Sequence, residues 1–229
     1  MRLLFIPGSG GGKEEWLYQT RYFSNSEAIV FPGHPEGSPC SSVEEYVSWL
    51  RGYIRRQQYR DVVLAGHSLG GAIAQLYGLE FDDGLRGLIL IGTGARLRVL
   101  PALLAKLSRL INDPAGWREY IETLSDGIAE DIRQQVIESR VRIGPEVTLN
   151  DFLCCDRFDI MDWVHQLDCP TLVTCGREDT LTPVKYAHYL TDRISGAREV
   201  IVAGARHWVQ LERPDEVNRA IADFLSRLD

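Results

Sequence analysis

The sequence predicts an α/β protein: a mostly parallel six-stranded sheet with helices on both faces and a helical insertion. Three observations carry this. Short apolar runs alternate with amphipathic stretches, the pattern of a sheet covered on both sides. One long stretch breaks that rhythm with helical segments alone. The 229 residues, 45% of them apolar, suit one main domain with a single sizeable core.

The strand-like runs are Leu3 to Ile6, Ala28 to Phe31, Asp61 to Ala65, Leu85 to Ile91, Thr171 to Cys175 and Glu199 to Val202. Between them, Ser42 to Gln57 places Val43, Tyr46, Val47, Leu50, Tyr53 and Ile54 at helical spacing, and Gly70 to Leu79 and Pro214 to Leu228 share that periodicity. From about Arg96 to Val164 no strand is evident. Helices are expected there at Pro101 to Ile111, Gly116 to Leu124 and Ile128 to Val141. Their apolar positions, Leu100, Leu103, Leu104, Leu107 and Leu110 among them, need a surface to cover, and the carboxyl edge of the sheet is the natural one. The expected organisation is a core of residues 1–95 and 165–229 with a helical cap, or lid, at 96–164.

The net charge of -7, from 32 acidic and 25 basic residues spread along the chain, gives no electrostatic reason to bind nucleic acid or an anionic membrane. A neutral or apolar small molecule fits better. Cys40, Cys154, Cys155, Cys169 and Cys175 are odd in number and lack the spacing of a zinc site, so reduced, mostly buried thiols in a cytoplasmic protein are expected. The apolar start, Leu3 to Ile6 followed by Pro7 and Gly8, is far shorter than a signal peptide or membrane span and reads as a strand.

Gly66-His67-Ser68-Leu69-Gly70 lies between a strand and a small-residue helix, where a G-x-S-x-G turn exposes its serine. Side chains at 66 and 70 would collide with such a turn, so glycine there answers a steric demand. The helix then aims its first N–H groups at Ser68, where negative charge develops during acyl transfer. A serine hydroxyl needs a histidine to take its proton and a carboxylate to orient that histidine. Of five histidines, His67 adjoins Ser68 and cannot readily reach it, His34 sits in an early loop, and His165 and His188 fall on expected helices. His207, after the last strand and before the final helix, is the candidate base. Asp179 follows the strand ending at Cys175, which puts it at the same edge; its neighbour Glu178 projects differently and reads as a solvated charge.

Taken together, Ser68, Asp179 and His207, in that chain order, with the early Pro7-Gly8-Ser9-Gly10-Gly11 loop and the Gly176-x-x-Asp179-x-x-x-Pro183 segment, resemble the α/β-hydrolase superfamily. The resemblance covers nearly the whole chain. It implies an oxyanion hole from the backbone N–H of Leu69 and of Ser9 or, with a one-residue shift, Gly10, with Pro7 standing where the family has histidine. Phe31-Pro-Gly-His-Pro-Glu-Gly37 resembles the family's D-x-P-G-H-G-x-S loop, from which Phe31 and Pro35 depart. The chain begins at the strand bearing the oxyanion loop, so the first two strands of the fuller fold are expected to be absent.

The resemblance implies hydrolysis through an acyl-serine, and the first expectation is a carboxylic ester of a small, fairly apolar acyl compound, with no cofactor or metal. The alternatives are C–C bond cleavage or elimination on a cyclic acid, as in C–C hydrolases and the menaquinone-pathway synthase, with Arg96, Arg98 or Arg177 on the substrate carboxylate, and, from another class, a non-catalytic small-molecule receptor.

Overall fold

A computed structural model of the chain describes residues 1–81 and 84–228. The strands are β1 (Arg2–Ile6), β2 (Ser26–Ala28), β3 (Val62–His67), β4 (Leu85–Ile91), β5 (Thr171–Gly176) and β6 (Arg198–Val202). They form one sheet in the order β2-β1-β3-β4-β5-β6, and every neighbouring pair is parallel. The helices are α1 (Leu17–Tyr22), α2 (Val43–Arg56), α3 (Leu69–Glu80), α4 (Pro101–Leu110), α5 (Pro114–Leu124), α6 (Glu130–Ile143), α7 (Pro145–Arg157), α8 (Val184–Arg193), the single turn α9 (Val209–Glu212) and α10 (Pro214–Leu225).

Alternation along the strands divides the core. Leu4, Ile6, Val62 and Leu64 face α2 and α3, whose Tyr46, Val47, Leu50, Ile73 and Tyr77 join them. Leu3, Phe5, Val63 and Ala65, pointing the other way, meet Val217, Ile221 and Phe224 of α10. β3 is buried along its whole length, as a central strand covered on both faces must be.

The second strand departs from expectation. The apolar run Ala28 to Phe31 suggested it, yet β2 pairs with β1 only over Ser26–Ala28, and Ile29 adds one further bond to the Phe5 carbonyl (2.8 Å). Ile29 and Phe31 are buried as packing residues on α2, not as ladder partners. The helix expected at Ile128 to Val141 runs Glu130–Ile143, and α7 follows it directly after Gly144.

The four helices α4 to α7 all lie between β4 and β5 in the chain. Their entrance and exit are tied together: Ile160 N–H donates to the Ala95 carbonyl (2.8 Å), and Arg96 bridges Asp159 in antiparallel fashion. Leu107, Trp117, Ile121 and Ile137 form a small apolar cluster inside this group, whereas Cys154 and Cys155 of α7 belong to the main core over the sheet. No helix among the described residues is long and apolar enough to cross a membrane.

The chain leaves β1 in one direction for β2 and leaves β3 in the other for β4, so the sheet reverses between β1 and β3. A crevice opens beyond the carboxyl ends of the strands at such a reversal. The two loops flanking it are Pro7 to Gly12 and the turn at Ser68.

That turn depends on contact distance. A Cβ on Gly66 would strike the backbone of Gly70 and Gly71, and one on Gly70 would strike the Ile6 and Pro7 carbonyls. Neither backbone can give way. Gly66→Ala should therefore cost roughly 2–4 kcal/mol of unfolding free energy, read as a lower midpoint in urea with an unchanged slope.

Candidate active site

Ser68 sits between β3 and α3 with φ 52° and ψ -114°, a backbone conformation held by its surroundings. Its N–H donates to the Ile91 carbonyl (2.9 Å), and its carbonyl accepts from Gly71 N–H (2.9 Å) and the Thr93 hydroxyl (2.8 Å). With its backbone pinned on both sides, only the side chain is left to face the crevice.

His207 lies in the loop after β6, and its Nδ1–H donates to Asp179 Oδ2 (2.8 Å). That bond puts the proton on Nδ1 and leaves Nε2 as an acceptor. Asp179, 4% exposed, also accepts from Leu181 N–H (2.8 Å), Thr182 N–H (2.9 Å) and the Thr182 hydroxyl (2.7 Å). Burial works to raise its carboxyl, but the partnership with His207 and the Thr182 bonds outweigh it and hold Asp179 below the usual carboxylate range. Asp179 is thus an anion fixed by its own loop. Glu178 is exposed and contributes only backbone here, its N–H donating to the Ala205 carbonyl (2.9 Å).

Ser68 and His207 line one cavity of about 310 Å³, which also meets Ser9 of the early loop and Trp117, Ile121 and Phe152 from the helices between β4 and β5. A second space of about 80 Å³ reaches the same two residues past Leu97, Leu100 and Leu181. Helices α4 to α7 therefore roof the serine.

In the early loop the amides of Ser9 and Gly10 differ in their partners. Gly10 N–H is committed to Asp151 Oδ2 (2.8 Å) and Gly8 N–H to Glu15 Oε2 (2.9 Å). Among the described residues, the N–H groups of Ser9 and Leu69 have no acceptor in the chain.

Beneath the site lies a buried charged cluster that no sequence motif marks. Glu15 Oε1 accepts from Arg140, whose other terminal nitrogen donates to the Ser9 carbonyl (2.8 Å) and whose guanidinium lies 4.7 Å from the Trp208 ring centre. His67 is fully buried; its Nε2–H donates to the His207 carbonyl (3.0 Å), while Nδ1 faces Glu15 at 3.5 Å. Burial pushes the His67 imidazole down, so it is neutral at neutral pH. His67 thus steadies the loop of His207 from behind. His165 and His188 are exposed, the latter paired with Glu199.

His34 is not a free loop residue. It is 3% exposed and bonds Asp151 Oδ2 through Nε2 (2.9 Å). Arg96 and Arg98 both reach Asp159 (3.7 and 3.9 Å) near the surface, Arg98 also bordering the smaller space, and Arg177 is exposed. The arginines lining the larger cavity are Arg140 and Arg206.

A serine on a strand-to-helix turn, at the reversal point of a doubly covered parallel sheet and beside a buried Asp–His pair, belongs to a hydrolase architecture. Residues 3–220 match the alpha/beta hydrolase family, and the chain is a member of it. A 2-hydroxy-6-oxo-6-phenylhexa-2,4-dienoate hydrolase of Comamonas testosteroni is 29% identical, covering 97% of this chain and 87% of that protein. A monoacylglycerol lipase of Xenopus laevis is 24% identical over 99% of this chain and 75% of its own. The solved structure of a thermophilic esterase superposes with a TM-score of 0.83 at 30% identity, covering 99% of this chain and 90% of that one.

The Glu15 cluster makes a pH prediction. Burial raises the Glu15 carboxyl, but the Arg140 charge and the Gly8 amide oppose it, and the group is held at about 2. A depressed folded value stabilises the protein fully above the unfolded value near 4.5, and that stability is lost as pH falls toward 2. The linkage is on the order of 3 kcal/mol. Glu15→Gln should be markedly less stable than wild type in urea at pH 7, with the gap closing between about pH 4.5 and 2.

Proposed function

We propose that this protein is a carboxylic-ester hydrolase acting on small, fairly apolar, uncharged acyl compounds through an acyl-serine intermediate. The observation that carries the proposal is the His207–Asp179 pair, whose geometry leaves Nε2 unprotonated on the cavity wall it shares with Ser68.

In this reading His207 Nε2 takes the Ser68 proton as Oγ attacks the ester carbonyl, and Asp179 stabilises the imidazolium. The carbonyl oxygen becomes an oxyanion between the Ser9 and Leu69 amides, which need no reorganisation to receive it. Collapse breaks the bond to the alcohol oxygen, which leaves with the proton from His207. Water then enters, gives a proton to His207 and attacks the acyl carbon. The second collapse releases the acid and returns the proton to Ser68. Residues 96–164 serve as the cap that admits substrate from above.

The charge balance of the cavity supports an uncharged substrate. Arg140 is paired with Glu15, and Arg206 lies beside Glu212 (3.8 Å), so the four charged residues lining the cavity cancel in pairs. A volume of about 310 Å³ sits at the small end of the range for ligand pockets. The Comamonas relative is named for a dienoate, an anion, and Arg140 on the cavity wall is the feature that favours a similar C–C reading here. That reading requires Arg140 to leave Glu15 for the substrate. A receptor has no use for a reactive serine.

Wild-type protein should hydrolyse p-nitrophenyl acetate and butyrate, and Ser68→Ala, still folded, should not. Full activity in Ser68→Ala would defeat the assignment. A fluorophosphonate should label Ser68 in mass spectrometry, which separates an enzyme from a receptor. Asp179→Asn should lower kcat by roughly a thousandfold or more, because the imidazole loses the tautomer that Asp179 imposes. Faster turnover of a dienoate-type ketone than of any neutral ester would shift the reading to C–C cleavage.

A further inference from the structure

The loop carrying Ser9 is fastened from the cap side, atom by atom. The peptide joining Ser9 to Gly10 is held at both ends: its carbonyl accepts from Arg140 of α6 (2.8 Å) and its N–H donates to Asp151 of α7 (2.8 Å). The neighbouring Gly8 carbonyl accepts from Gly11 N–H (3.0 Å), and Gly8 N–H goes to Glu15. The Ser9 hydroxyl lies 3.5 Å from the Cys155 thiol, also on α7. Gly10, at φ 61°, packs so closely on Thr148 that a Cβ would collide with it. On either side of the Ser9 amide, the Gly8 and Gly10 N–H groups and the Gly8 and Ser9 carbonyls are all occupied.

Asp151 is the centre of this arrangement. It is fully buried, and beyond Gly10 its oxygens accept from Tyr46 (2.7 Å) on α2 and bond His34 (2.9 Å) in the loop after β2. One carboxylate therefore joins the cap, a sheet-covering helix and the two loops after β1 and β2. A buried carboxylate is costly unless its oxygens are satisfied, and here both are, so it has no local freedom to move.

We propose that Asp151 is a positioning residue for the oxyanion hole: by fixing the Ser9–Gly10 peptide, it pins the Ser9 Cα from one side and so limits how the adjoining Gly8–Ser9 peptide, which carries the Ser9 N–H on the cavity wall, can turn. Arg140 holds the opposite end of the same peptide. Loss of Asp151 loosens the Ser9–Gly10 plane, leaves the adjoining Gly8–Ser9 peptide with less to hold it at Ser9, and lets its N–H turn away, with the effect of a lost oxyanion-hole bond. The inference deepens the acyl-serine reading and rests on it for the role of Ser9.

The test reads the oxyanion hole directly, through the second-order rate at which a fluorophosphonate labels Ser68. Its phosphoryl oxygen develops charge where an ester oxyanion would, so the readout does not require that an ester be the natural substrate. Asp151→Ala should label about a hundredfold more slowly than wild type, with a parallel loss of kcat on p-nitrophenyl butyrate and KM within about threefold. Asp151→Asn retains an oxygen for Gly10 and should restore most of the rate. Tyr46→Phe removes a different bond to the same carboxylate; it should lower Tm while labelling at the wild-type rate, a separation that a merely structural role would not show. Should Asp151→Ala fail to fold, Arg140→Lys keeps a cation beside Glu15, gives up the bond to Ser9, and should slow labelling about tenfold. Wild-type labelling rates in folded Asp151→Ala, or in Arg140→Lys, would overturn the inference, as would equal slowing by Tyr46→Phe. Absent ester turnover with labelling intact would instead defeat the ester reading and leave Asp151 to be judged on its labelling rate.

Discussion

The backbone at Ser68 can reverse from strand to helix only because nothing larger than hydrogen stands at 66 and 70. Those two positions let β3 end, α3 begin and the Ile6 and Pro7 carbonyls pass within contact of the turn. A positive φ at serine is unfavourable in isolation, and it persists because Ile91, Thr93 and the first turn of α3 hold the peptide on either side. The parallel sheet supplies all of these partners, since β1, β3 and β4 deliver their carboxyl ends to one place. The location of the site is thus a consequence of strand order.

Around that turn, the candidate site is assembled from groups with very different freedom. Asp179 is immobilised by an Asx-type loop in which Leu181 and Thr182 amides close on its own carboxylate. His207 is held at Nδ1 by Asp179 and at its carbonyl by His67, which is neutral because it is buried. The imidazole can therefore change charge during a reaction while its position stays fixed. The charged pair Glu15–Arg140 lies deeper and braces the early loop. These groups are expensive to bury, and each finds the opposite charge or a backbone donor.

The sheet, most helices and the cluster of Ser68, Asp179 and His207 at one edge were legible because each rests on local periodicity or on a motif whose spacing has a steric cause. The second strand was misplaced because Ile29 and Phe31 are apolar for a different reason: they pack under α2 beside an edge strand of only three residues. Glu15 was invisible, since nothing in the Gly-Gly-Lys-Glu-Glu-Trp run distinguishes a buried glutamate from an exposed one. Arg140 and Asp151 did leave a signal. Arg140 follows Val136 and Ile137 at helical spacing, and Asp151 falls between Thr148 and the Cys154–Cys155 pair, so each charge interrupts a buried stripe. A charge in an apolar stripe asks for a partner from another element, and only the tertiary structure names it.

Those two interruptions fasten part of the roof over Ser68. α6 and α7 carry the residues that hold the Ser9–Gly10 peptide, and α7 also shares the sheet core through Cys154 and Cys155. Raising either helix would break charged, buried hydrogen bonds and expose apolar surface together. α4 and α5 have weaker ties: their buried side chains cluster with the other helices of the group, and Leu100, at the start of α4, is 74% exposed. The smaller space beside Ser68 opens along this edge, past Leu100 and Leu181. In the proposed reaction, entry along that side would leave the Ser9 loop undisturbed. The group α4 to α7 thus lines the cavity over Ser68 and, through α6 and α7, holds the Ser9–Gly10 peptide.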